Sequence, residues 1–168
     1  YHVQVASSSA FGAAALVLDI DAGSTSISSP SLTPGKTYYW RVIANIPTGK
    51  SMYSNVWKVT YRANTALKIE LVSLSGSIVT VKATLTNSDS NTPVPGKTLT
   101  FYQNTDGGPF ASKGMATTAG IKSATPGVAT KTWRTSVGNH TAYAIFKGDV
   151  AYSAVTTNPT DISYTRIQ

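Results

Sequence analysis

Side chains able to do acid–base, nucleophilic or metal chemistry are few and scattered. Two histidines, His2 and His140, stand against seven acidic residues, and cysteine is absent, which removes thiol nucleophiles, thiolate metal sites and disulfides together. A hydrolytic triad needs a histidine held by a carboxylate beside an activated nucleophile, and no Gly-x-Ser-x-Gly elbow occurs. His2 falls on the polar alternate of a strand and His140 in a turn, so both are expected at the surface. Asp19 and Asp21 flank Ile20, a pattern that suits a solvated strand edge better than the paired carboxylates of sugar hydrolysis. Calcium has slight support: Asp19 with Asp21, or Asp106 beside Gly107 and Gly108, could offer oxygens, but no Asp-x-Asp-x-Asp loop is present. A self-formed Lys to Asn cross-link would need a buried lysine, whereas Lys68 and Lys82 occupy outward alternates. The expectation is a protein with no enzymatic activity and no cofactor.

Binding chemistry is better represented. Exposed aromatic rings form platforms for sugars, and Tyr39, Tyr53, Trp57 and Trp133 are the candidates, with Tyr38, Trp40 and Trp57 also suited to a core. Asn139, His140 and Thr141 form an Asn-x-Thr sequon in an expected turn, so Asn139 is a candidate for glycosylation. The net charge of +7 could attract an anionic partner, but the fourteen Lys and Arg are spread singly, with no cluster and no helix to carry one into a groove. Nucleic-acid binding is not expected.

The elements that would hold these residues are strands. Only 12% of the chain is charged, while Ser and Thr make up roughly a quarter of it, and β-branched Thr packs well on a pleated, half-wet surface. Tyr1, Val3 and Val5 alternate with His2, Gln4 and Ala6, and an apolar run from Ala13 to Ile20 precedes a polar strand over 24–28. Pro34 and Gly35 turn the chain into a strand where Tyr38, Trp40 and Val42 point one way and Tyr39, Arg41 and Ile43 the other. After a polar stretch at 62–66, further strands are expected around Leu67–Leu71, Ile78–Leu85, Leu99–Phe101, Val128–Arg134, Thr141–Phe146 and Ile162–Ile167, with a long Gly-rich connection over 104–120.

Leu32, Pro34 and Tyr38, together with the hairpin from Pro47 to Tyr61, make residues 1–61 similar to the fibronectin type III family. The resemblance implies that Leu32, Pro34 and Tyr38 form a structural corner, the tyrosine hydroxyl bonding to backbone just upstream. It departs from the family in one respect: the strand at Tyr1–Ala6 corresponds to the third, so two strands are missing. The second part resembles the bacterial immunoglobulin-like repeats of invasin-type adhesins, through Val79–Thr86, Pro93–Phe101 and Tyr143–Tyr152.

These resemblances imply an all-β protein of two tandem immunoglobulin-like β-sandwiches: a partial module over 1–61, a hinge at 62–66, and a second sandwich over 67–168. They imply an exported, extracellular or cell-surface protein. No stretch reaches the ~20 apolar residues that cross a bilayer, so membrane insertion is not expected. Lacking an initiator Met and a basic-then-apolar leader, the chain reads as a mature or excised segment. Two functions fit: a structural or adhesive module pair acting through strand pairing, or an accessory spacer or carbohydrate-binding region of a secreted polysaccharide-degrading enzyme. The partners would be other domains or copies of the same surface protein, by β-strand complementation, or a polysaccharide.

Overall fold

A computed structural model describes residues 1–168, the side chain of Lys50 excepted. The protein is all-β: it has no α-helix among the described residues, only one turn of 3-10 helix at Ala13–Ala15. The chain divides into two compact units, Tyr1–Arg62 and Ala63–Gln168.

The first unit contains β1 (His2–Ala6), β2 (Leu16–Asp21), β3 (Thr37–Ile43), β4 (Asn45–Ile46), β5 (Gly49–Lys50) and β6 (Trp57–Thr60). Four of these form one antiparallel sheet in the order β2-β1-β3-β6, while β4 and β5 make a separate hairpin. Because side chains alternate across a strand, register decides which residues share a face. Val3 lies opposite Val42 and Val5 opposite Trp40, while Tyr38 and Trp40 lie opposite Val59 and Trp57. One face is therefore apolar across three strands. The other carries His2, Gln4, Tyr39 and Arg41. The strand expected over 24–28 is absent: residues 23–32 make no backbone–backbone hydrogen bond.

The second unit contains β7 (Thr65–Ser75), β8 (Ile78–Asn87), β9 (Thr98–Gln103), β10 (Ala111–Thr117), β11 (Val128–Arg134), β12 (Gly138–Phe146), β13 (Val155–Thr156) and β14 (Ile162–Arg166). One sheet runs β10-β9-β12-β13 with β14 also on β12, and the other runs β11-β8-β7. The two sheets share one core, giving this unit a sandwich-like form. Val79, Val81, Ala83 and Leu85 of β8 and Leu99 and Phe101 of β9 are wholly buried, and Ala142, Ala144, Phe146 and Ile162 join them. Strict alternation along β8 explains this, since its odd-numbered residues from 79 to 85 are apolar and its even ones largely Thr or Lys.

Two sequence expectations change here. The Gly-rich connection over 104–120 contains β10, whose bulge near Gly114 and run of Ala, Ser, Lys, Gly, Met and Ala give no apolar alternation. Residues 63–66, expected in a hinge, belong to the second unit. Ala63 is fully buried, donates to Ala151 and accepts from Ser153, and Thr65 already opens β7.

The units share a strand pattern. In each, a central strand (β1 or β9) is followed by its outer neighbour (β2 or β10), and a later central strand (β3 or β12) is followed by the other outer one (β6 or β14). Between the outer and the later central strand, the second unit inserts β11, which pairs with β8 in the opposing sheet. In that place the first unit has the unpaired residues 23–32, and among the described residues its only other sheet is the β4–β5 hairpin.

Candidate functional site

The apolar face of the first unit is partly open to solvent. Along it runs a trough of about 540 Å³, floored by Val3, Val5, Tyr38, Trp40 and Val42 and rimmed on one side by residues 24–32. Tyr38 and Val3 are buried, but Trp40 is 37% exposed, Val59 46% and Trp57 56%. Trp40 and Trp57 stack with centroids 6.0 Å apart and planes 18° from parallel. Three large side chains so exposed on one sheet face differ from the scattered apolar residues of ordinary surfaces. At one end the Tyr38 hydroxyl accepts a hydrogen bond from the Thr33 amide at 2.9 Å, closing the Leu32–Pro34 turn over the ring.

The opposite face is polar and fully connected. Asp19 and Asp21 lie exposed on the edge strand β2, as expected, and the His2 ring reaches Asp19 through Nε2 at 2.7 Å and Asp21 through Nδ1 at 3.0 Å. Asn45 donates to Asp21, and Gln4 donates to Asp19. Beside them, the Arg41 guanidinium sits 4.1 Å from the Phe11 ring centroid and 3.8 Å from that of Tyr53. Its Nε donates to Gln4 Oε1 at 2.8 Å.

In the second unit, a polar network is buried at one end of the core. Gln103, Thr135 and His140 are nearly inaccessible. Gln103 Oε1 accepts from the Trp133 indole N–H and from the Tyr164 hydroxyl, while its Nε2 lies 2.9 Å from Thr135 Oγ1 and 2.7 Å from His140 Nδ1. His140 Nδ1 meets both the Gln103 amide nitrogen, which can only donate, and the Asn104 carbonyl at 3.1 Å, which can only accept, while Nε2 lies 3.0 Å from the Ser136 carbonyl. Burial pushes the Tyr164 hydroxyl above its ordinary pKa, with the neighbouring Thr135 and Trp133 opposing it.

At the other end, Asp149 follows Gly148, whose φ of 77° and packing against the Ala154 backbone exclude a side chain. Asp149 Oδ1 accepts from the Ala151 and Tyr152 amides and Oδ2 meets Lys97 Nζ at 2.6 Å. Burial alone would raise its pKa. The Lys97 ammonium and the two amides outweigh that and hold the carboxyl below the usual range. Lys68 and Lys82 both pair with Glu70 at 3.3 Å on the sheet exterior.

Several expected site residues move. Trp133 is only 9% exposed and its indole N–H is bound to Gln103, so it offers no ring to a sugar. His140 is buried, because β12 begins at Gly138 and turns it inward. Asn139 lies in that strand rather than in a turn. Its side chain faces solvent, accepting from Thr165 Oγ1 at 2.8 Å. Tyr53 is exposed, but Arg41 covers its ring, and Tyr39 is half-buried on the same polar face. Trp57, expected to help fill the core, stands largely in solvent. Among the described residues, no group of three or more His, Asp or Glu side chains is placed to hold a metal ion.

No known family model matches the chain, and no curated protein matches it either.

Proposed function

We propose that this chain is a non-enzymatic structural or adhesive module pair of an exported surface or filament-forming protein, which works by pairing its first unit with β-strands from outside residues 1–168. One observation carries the reading: the apolar face floored by Val3, Tyr38 and Trp40 lies beside an unpaired stretch, residues 23–32, where the second unit has a whole opposing sheet. Unpaired backbone beside an apolar trough offers a partner strand main-chain hydrogen bonds and seats for its alternate side chains. Restoring an opposing layer would cover Trp40, Trp57 and Val59 and pair the backbone at 24–29 as β8 pairs β11. A strand contact between different surfaces can propagate head to tail without closing. The polysaccharide-binding alternative loses Trp133, whose ring is buried, but keeps Trp57, which is 56% exposed.

Hydrogen exchange and sedimentation of residues 1–168 test the proposal. The amides of 24–29 should exchange at once while those of β8 and β9 stay protected. The chain should also associate with increasing concentration, and Trp57→Lys should suppress this. A monomer at all concentrations with protected amides at 24–29 would overturn it.

A further inference from the structure

We infer that Arg41, on the polar face of the first unit, is a preformed receptor for a carboxylate, at a site separate from the apolar trough. A guanidinium is a planar fork with two faces and three donor-bearing edges. Here the Cζ atom lies over the rings of Phe11 and Tyr53, at 4.1 and 3.8 Å from their centroids, and Gln4 takes the Nε edge at 2.8 Å. Among the described residues no protein group accepts from either Nη, and Arg41 has no acidic partner within salt-bridge distance. The edge left over is the one that binds a carboxylate through two parallel hydrogen bonds.

The clamp is built from ordered parts. Gln4 is 8% exposed, and its amide nitrogen is tied to Asp19, which fixes its oxygen toward Arg41. Phe11 is 7% exposed and holds its ring on the guanidinium from a backbone at φ 52°, a left-handed conformation that costs a bulky residue energy. Strain of this sort persists where surrounding contacts over-determine it, and ligand clamps are among its usual places. An arginine immobilised in advance loses less entropy on binding than a free surface arginine does.

Charge selects the class of anion. Asp19 lies one side chain away through Gln4, and Asp21 follows beyond it through His2. They make the surroundings less welcoming to a dianion than to a monoanion. A carboxylate therefore fits where a phosphate dianion does not.

The test is an NMR titration of residues 1–168, observing the Arg41 Nε–H and the Gln4 side-chain amide, with acetate, chloride and inorganic phosphate at matched ionic strength. Acetate should give a saturable shift at both reporters, with phosphate weaker and chloride ineffective. Arg41→Lys should abolish the Gln4 response. Tyr53→Ala should weaken acetate binding about threefold, the scale of one partly exposed cation–π contact, with the unit's backbone amide spectrum unchanged. A non-saturable shift, an equal response to chloride, a preference for phosphate or an unchanged Gln4 response in Arg41→Lys would each overturn the assignment.

Discussion

The Tyr38 hydroxyl and the Thr33 amide, five residues apart, are joined by a hydrogen bond of 2.9 Å that fastens the Leu32–Pro34 turn to the sheet. Tyr38 is only 6% exposed, whereas Thr33 lies at the surface. Tyr38→Phe keeps the ring and removes the acceptor. The first unit should lose on the order of 1 kcal/mol, with no change in the second. Urea melts that resolve the two units check this, and a shift common to both would contradict it.

Trp57 and Trp133 exchange the roles their sequence surroundings suggest, and quenching can show it. Variants keeping a single tryptophan should differ sharply: Trp57, 56% exposed, quenched readily by acrylamide, and Trp133, 9% exposed and bound to Gln103, shielded. Equal quenching of the two would argue against both placements.

What the sequence disclosed follows from where periodicity and turn chemistry are strong. β8 could be read directly, since Val79 to Leu85 alternate with polar residues under a period of two, and Pro34–Gly35 marked the entry to β3. β10 could not, because Ser112, Lys113 and Gly114 carry no apolar alternate and the strand forms only by pairing with β9. The stretch 24–28 misled in the opposite sense. Its Ser, Thr and Ile suit a strand, but a strand needs a neighbour and the chain supplies none there. The candidate site was half legible: the alternation of Tyr38, Trp40 and Val42 gave its floor. The Arg41 clamp depends on Phe11 and Tyr53, brought together from distant segments without any spacing signal. His140 was misplaced because Gly138 and Asn139 read as a turn, whereas Asp106 accepts the Asn139 amide and draws that segment into β12.

Gln103 is the hub of the buried network, and its loss should be felt by every partner. Gln103→Leu has similar volume but leaves the Trp133 N–H and the Tyr164 hydroxyl without their shared partner, while His140 Nδ1 keeps the Thr105 hydroxyl at 3.1 Å. Each unsatisfied buried group costs roughly 1–3 kcal/mol, so the second unit should lose at least about 2 kcal/mol. Denaturant melts measure the loss. A change under about 1 kcal/mol would mean that water replaces the amide there.

Asp149 makes the stability of the second unit depend on acid. Its pKa is lowered in the folded protein: burial opposes ionisation, but Lys97 and the Ala151 and Tyr152 amides prevail. A carboxyl with a depressed folded pKa stabilises the fold fully above the ordinary aspartate range. That contribution fades as pH falls through the ordinary value and is gone below the folded one, when both states bind the proton. Asp149→Asn retains an oxygen for the two amides but removes the charge facing Lys97 at 2.6 Å. At pH 7 the variant should be less stable than the parent, and the gap should narrow steadily as the solution is taken below pH of about 4. Melts of both proteins across that range test the sign directly. A gap that stayed constant or widened on acidification would show that the ion pair with Lys97 does not set the titration.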